Sequence, residues 1–331
     1  MAKMFYEQDA DLSLLDGRTI GIIGYGSQGH AQALNLRDSG GKVLVADAPG
    51  SDAWKAAEKA GFNVSDAAEV AQKSDIIVFL APDDLQPQIY HESIAPGLAA
   101  GKVLQFAHGF NIYYHQIVPP SEVDVTMVAP KIHGVLLRKL YTENLGPPGS
   151  IAVYQDTSGK AFQISLAYAK AIGCTRGGVV ETTFKEETVT DIFNEQCGIG
   201  GGVIGLLKAG WEVLVEAGYS EETAYLELFH ELKGVADLIN SYGIPGMIRR
   251  CSQTAQYGMM SRQHRVIDDS VKENMRRLLR EIEDGTFAHQ WLLEGSIGHP
   301  NYLTLLSMED EHGSEVAGKK LRELMPWLTK P

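Results

Sequence analysis

The chain is short of cysteine and of positive charge, and each shortage excludes something. Only three cysteines, Cys174, Cys197 and Cys251, are scattered over 331 residues. The count is odd and no C-x-x-C pair exists. A disulfide framework and a thiolate metal knuckle are therefore not expected, and a reducing, cytoplasmic setting is. Lys and Arg number 29 against 42 Asp and Glu, a formal net charge of -13. That balance argues against nucleic acid or an anionic membrane surface as partner, because both need a basic face. A local basic site for an acidic substrate stays open. No apolar run looks long enough to span a bilayer, and the N-terminal segment Met1 to Asp9 lacks the apolar stretch of a signal peptide. Low-complexity tracts and internal repeats are missing too. What remains has 44% hydrophobic residues, and that length and apolar content suffice for two cored domains.

The first part of the chain alternates. Short apolar runs at 19–23, 42–46, 75–80, 103–107, 125–129 and 149–154 read as strands. Helical patterns lie between several of them, over 28–39, 53–60 and 66–72. Alternation of this kind predicts an α/β, Rossmann-like domain with a parallel, doubly wound sheet over residues 1–182. Beyond that point strand-like runs largely stop. Helices are expected near 184–197, 202–217, 221–241, 270–284, 286–294 and 314–326, which gives an all-α domain over 183–331. The segment Val203 to Leu214 is apolar nearly all round apart from Lys208, so it should lie deep in a core or in a subunit interface.

Between the first strand and the first helix lies Gly24-Tyr25-Gly26-Ser27-Gln28-Gly29, a G-x-G-x-x-G loop in the context that dinucleotide binding requires. Gly24 permits the tight turn, Gly26 lets backbone approach a pyrophosphate, and Gly29 lets the helix pack on the sheet. The anion then sits on the helix N-terminus, where unpaired N–H groups and the dipole favour it. The next strand ends in Asp47, about 20 residues on, where an acid accepts from the ribose hydroxyls and repels a 2′-phosphate. The following stretch, with Ser51 and Asp52, contains no Arg or Lys before Lys55. The expected cofactor is NADH, with NADPH the weaker alternative.

In the helical part, Asp191 and Glu195 stand at i and i+4, and so do Glu227 and Glu231. On a helix each pair shares a face, and like charges there repel. A Lys or Arg could relieve such repulsion, but a hard divalent cation does it better, and carboxylates suit Mg²⁺. Four carboxylates could hold two ions.

Several ordered segments then resemble ketol-acid reductoisomerase in its short form, over essentially the whole chain. They are Phe106–Ile112, Val128–Lys131, Glu181–Thr188, Asp191–Gln196, His230–Lys233, Thr254–Gly258 and His299–Asn301. The resemblance implies a Mg²⁺-dependent conversion of 2-acetohydroxy acids, such as 2-acetolactate, to 2,3-dihydroxy acids. An alkyl shift is followed by hydride reduction, in valine and isoleucine biosynthesis. It implies that Asp191 bridges two Mg²⁺ ions and that Glu195 completes one ion's shell. Glu227 and Glu231 come from the neighbouring subunit, and Ser252 holds the substrate carboxylate. His108 and Lys131 line the site, Glu195 and Glu231 join the catalytic set, and Gly134 lies on the cofactor side. A knotted helical domain and an intimate homodimer, or an assembly of dimers, are also implied.

The sequence departs from the family in three places. Pro130-Lys131 is followed by Ile132-His133-Gly134-Val135 instead of Gly-Pro-Gly-His. The segment after Glu195 reads Gln196-Cys197-Gly198-Ile199-Gly200-Gly201-Gly202. Arg249, Arg250 and Cys251 precede Ser252. The competing reading is a divergent paralogue: a simple keto-acid or imine reductase of specialised metabolism, without alkyl migration.

Overall fold

The computed structural model describes residues 3–325 and Trp327. Two compact units are present, Met1–Thr190 and Asp191–Pro331, and one helix spans the division.

The first unit runs β1 (Met4–Phe5), β2 (Thr19–Ile23), α1 (Ser27–Asp38), β3 (Lys42–Ala46), α2 (Asp52–Lys59), β4 (Val64–Ser65), α3 (Ala67–Lys73), β5 (Ile76–Phe79), α4 (Gln86–Ile89) and β6 (Val103–Phe106). It continues with α5 (Phe110–Tyr113), β7 (Asp124–Pro130), α6 (Gly134–Thr142), β8 (Gly149–Gln155), α7 (Ala161–Ala171) and β9 (Val179–Glu181). Among the described residues these strands form one sheet in the order β1-β9-β8-β7-β6-β5-β2-β3-β4. The strands from β4 across to β7 are parallel, and every residue of β2, β5 and β6 is buried. That is the pattern of strands covered on both faces. Side chains alternate between the two cores: Ile76 and Val78 pack on one side, Ile77 and Phe79 on the other.

The expectation of an all-parallel sheet needs amendment at one edge. β8 pairs antiparallel with β7, and β1 pairs antiparallel with β9. The cause is the connection after β7. Helix α6 returns the chain to the end that β7 left, so Pro130 pairs with Gly149 and β8 runs back. The order reverses between β2 and β5, and a crevice opens there at the carboxyl ends of the strands.

The second unit holds α8 (Phe184–Cys197), which begins in the first, then α9 (Gly201–Glu216), α10 (Glu221–Tyr225), α11 (Leu232–Ile248), α12 (Gln253–Val266), α13 (Asp269–Glu283), α14 (Thr286–Ser296), α15 (Pro300–Glu311) and α16 (Gly313–Glu323). Helix α16 ends short of 326, and Pro326 lies outside the described residues. Between α8 and α9 the glycines are sterically required: a Cβ on Gly200 would fall 2.2 Å from the Glu195 carbonyl oxygen, and one on Gly202 2.2 Å from that of Cys197. Contrary to expectation, the stretch Phe184–Glu216 is long and apolar enough, by length and composition, to cross a bilayer. The turn at Gly198–Gly200 divides it into two shorter helices.

Of the two surroundings expected for the apolar helix, a core within this chain is excluded. On α9 only Trp211 is buried, and Val213 remains 64% exposed. Trp211, Ala224 and Tyr225 form a small core instead, with Gly313 pressed on Trp211 and Gly318 on Tyr225. Leu303, Leu305, Leu306 and Met308 of α15 are exposed as well.

Candidate active site

The crevice at the strand-order reversal is a cavity of about 710 Å³. Gly24, Gly26, Ser27 and Asp47 line it, together with Pro49, Asp66, Pro82, Asp83 and Leu85. Each glycine of the loop has its own physical reason. Gly24 takes φ +100°, and a Cβ there would lie 2.6 Å from the Ala81 nitrogen. A Cβ on Gly29 would lie 1.9 Å from the Gly24 carbonyl oxygen. Gly26 has nothing within 4 Å of the Cβ position, so its face is open to the cavity. It caps α1 without a side-chain bond, which leaves the helix's first N–H groups for an anion. These are the features a pyrophosphate cradle requires, and the cavity's volume is in the range of small-molecule and cofactor sites.

The other loop candidates are used differently. The Tyr25 ring is buried edge-on against Phe62 and His30, and burial raises its hydroxyl pKa. Its backbone N–H donates to Asp47 Oδ2 at 2.7 Å. Asp47 Oδ1 accepts from the Ala48 N–H at 2.8 Å and from the Ser51 hydroxyl at 3.0 Å. Ser51 also caps α2, accepting from the Trp54 N–H. Asp47 is therefore fixed in place at the end of β3, on the cavity wall. Asp52 is fully exposed, 3.6 Å from Lys55, and does not line the cavity. The side chain of Gln28 turns to the Ile132 carbonyl, at 2.8 Å. Gly134 packs on the same helix start. Its N–H donates to Ser27 Oγ at 3.2 Å, and a Cβ there would lie 1.8 Å from the Ser27 carbonyl oxygen.

A second group of polar side chains gathers at the ends of β6 and β7. His108 follows β6, Lys131 follows β7, and Glu187 stands on the first turn of α8. Thr183 Oγ1 starts that helix by accepting from the Glu186 N–H at 3.0 Å. Glu187 is only 3% exposed. Its Oε1 accepts from Lys131 Nζ at 2.8 Å, and its Oε2 lies 3.1 Å from His108 Nδ1 and 3.3 Å from the Gly109 nitrogen. Burial by itself pushes this carboxyl up. The hydrogen bonds and positive charges of His108 and Lys131 outweigh burial and hold the carboxyl below its usual range. A carboxylate on Nδ1 requires the proton there, so Nε2 is the ring atom at which His108 gains or gives up its second proton.

Sequence reasoning missed Glu187, although its signal was present. It precedes Asp191 by the spacing at which Asp191 precedes Glu195, so α8 carries all three carboxylates along one face. Asp191 is half-buried and Glu195 exposed. The site reading also missed Asp83 and Asn111, whose Nδ2 donates to the Asp83 carbonyl at 2.9 Å and to Gln86 Oε1 at 3.0 Å.

The remaining candidates lie in the second unit. Glu227 falls within a π-helical turn, Leu226–His230, where the Glu231 N–H reaches back to the Leu226 carbonyl. Single π-turns of this kind recur at functional sites. Both carboxylates are exposed, so the apolar sequence around Glu227 does not enclose it. Ser252 caps α12, accepting from the Ala255 N–H at 3.2 Å. Arg250 stacks 3.4 Å from the Tyr242 ring centroid and donates to the Gly246 carbonyl.

Residues 14–178 match the family model for the acetohydroxy acid isomeroreductase NADPH-binding domain, and residues 184–327 match the ketol-acid reductoisomerase C-terminal domain. The chain belongs to the ketol-acid reductoisomerase family. It is an NAD(P)H-dependent oxidoreductase and isomerase. One solved reductoisomerase, NADH-preferring and from an uncultured archaeon, is 43% identical with a TM-score of 0.95, covering 97% of this chain and 99% of that one. More distant likenesses show the fold alone. A semialdehyde dehydrogenase NAD-binding protein from Cupriavidus necator is 18% identical (TM-score 0.61, covering 81% and 98%). A pyrroline carboxylate reductase from Plasmodium falciparum is 17% identical (TM-score 0.53, covering 82% and 98%).

Proposed function

We propose that the chain is an NADH-preferring, Mg²⁺-dependent ketol-acid reductoisomerase. It converts 2-acetohydroxy acids such as 2-acetolactate to 2,3-dihydroxy acids in valine and isoleucine biosynthesis, in the cytoplasm. One observation carries the reading: a dinucleotide crevice closed by Asp47 occurs in the same chain as a face of carboxylates on α8. Asp191 and Glu195 would hold the ions, joined by Glu227 and Glu231 of a second copy of this chain. The donor set suits Mg²⁺, being carboxylate oxygen only. When bound, the two ions supply Lewis acidity at the substrate's hydroxyl and carbonyl oxygens, and NADH supplies the hydride.

The chain's own groups do the rest. Glu187 keeps the Lys131 ammonium oriented and the Nδ1–H form of His108 in place. His108 Nε2 can then exchange a proton with the substrate, and Lys131 can neutralise charge that develops on it. Ser252 is the expected contact for the substrate carboxylate. The exposed apolar residues of α9 and α15 supply the surface for a homodimer. The test is NADH oxidation with 2-acetolactate. Turnover is expected with Mg²⁺ and none after chelation. An undiminished rate in the fully demetallated protein, or turnover of simple 2-keto acids but not of acetolactate, would refute the reading.

NADH preference rests on Asp47. Its carboxylate faces the cavity where the adenosine ribose of a dinucleotide belongs, and the relative that is 43% identical is itself described as NADH-preferring. Asp47→Asn removes the charge while keeping the size. We expect kcat/KM with NADH to fall about tenfold and the NADH-to-NADPH ratio to move toward NADPH. An unchanged ratio would mean that Asp47 only holds the turn.

A further inference from the structure

Three buried or half-buried side chains connect the interior of the first unit to the segment that carries Lys131. On α7, the hydroxyl of Tyr168 donates to Gln32 Oε1 at 2.6 Å. One turn back on α1, Gln32 Nε2 donates to Gln28 Oε1 at 3.0 Å. Gln28 Nε2 then donates to the backbone carbonyl of Ile132 at 2.8 Å. Tyr168 and Gln32 are wholly buried. The direction of the chain is not arbitrary. A carbonyl can only accept, so Gln28 must present its amino group to Ile132 and its oxygen to Gln32. Gln32 must then present its oxygen to Tyr168, which can donate. Each link fixes the orientation of the next, and no member can rotate without stranding a buried polar atom.

We propose that Tyr168, Gln32 and Gln28 are positioning residues that hold the Lys131–Gly134 loop against the start of the cofactor helix. They act through the Ile132 backbone, so the relay survives the loop's departure in sequence. Its output is the placement of Lys131, whose Nζ lies 2.8 Å from Glu187 Oε1. Gly134 supplies a second tie at Ser27. Gln28 therefore serves the site without turning to the cofactor itself. The inference rests on the reading of Lys131 as an active-site group.

The experiment measures kcat, KM for acetolactate and Kd for NADH in Tyr168→Phe, Gln28→Leu and the double variant. Tyr168→Phe removes one buried oxygen and little else. We expect kcat to fall about tenfold in each single variant, with Kd for NADH moving less than about twofold. The double variant should be no worse than Gln28→Leu, because a chain already broken is not broken again. Ser165→Ala controls for the mere loss of a buried hydroxyl. It lies on the same helix, its Oγ has no partner, and it should leave kcat unchanged. Losses that multiply in the double variant, or normal kcat in Tyr168→Phe, would overturn the relay. Lys131→Met separates the two claims: if it retains kcat, the reading of Lys131 fails, whatever the relay variants do. Should Gln28→Leu not fold, Tyr168→Phe with its Ser165→Ala control still decides the matter.

Discussion

Replacing Asp191 with Asn is expected to lower acetolactate turnover by roughly 10³-fold while leaving NADH affinity as it was. Two features of α8 lead there. Asp191 is the middle member of three carboxylates spaced by one turn, Glu187, Asp191 and Glu195. The first already has its charge balanced by His108 and Lys131. Half-buried Asp191 stands between it and the exposed Glu195, and an amide at its place keeps the shape but loses the charge and most of the affinity for a hard ion. The dinucleotide crevice lies at the strand-order reversal, and Asp191 is not among the residues lining it. Fluorescence titration with NADH should therefore give the parent's Kd. A second arm tests the shared site. Asp191→Asn mixed with Glu231→Gln under conditions of subunit exchange should recover about a quarter of the parent rate. Half of the dimers are then mixed, and each mixed dimer has one complete site. No recovery, with exchange demonstrated by mass after one variant has been labelled with 15N, would place both pairs within one chain. Normal isomerisation by Asp191→Asn alone would end the metal assignment.

Glu187→Gln should be damaging for a different reason. An amide in place of the carboxylate can still accept from Lys131, but its amino group then faces His108 Nδ1, which also carries a proton. The cheapest relief is for the ring to move its proton to Nε2, which removes the basic atom from the side where it is needed. We expect kcat to fall about 10²-fold, the scale of general acid–base assistance. Stability should fall as well, by about 2 kcal/mol, less than the roughly 3–5 kcal/mol of a fully buried broken pair because the Lys131 side chain is 40% exposed and can be rehydrated. The pH dependence carries its own signature. Glu187 is held below its usual range in the folded protein. Its stabilising contribution is complete above the unfolded-state value and is lost as pH falls through the lowered folded one. Urea unfolding of parent and variant should therefore differ most near neutrality and converge in acid. A gap that widens as pH falls would show that Glu187 is not held as an anion.

The amino-acid sequence by itself determined a good deal. A glycine loop needs particular residues because backbone must touch backbone there, and this is visible at Gly24 and Gly29 without knowing anything distant. Strand and helix periodicity is likewise local, which is why β2, β3, β5 and β6 lie where the apolar runs put them. The acid spacing on α8 follows from helix geometry alone. Tertiary structure decided what depends on chains meeting far apart in sequence. The direction of β8 was set by where α6 returned the chain, which no strand pattern encodes. Asp47 is legible as an acid after a strand, but its attachment to the Tyr25 N–H needed the turn to be folded. Glu187 was overlooked because its meaning lies in His108 and Lys131, partners brought from two other strand ends. The Tyr168–Gln32–Gln28 chain is hidden for the same reason: Tyr168 lies 136 residues from Gln32 in sequence, and only packing α7 near α1 gives three uncharged side chains a common task.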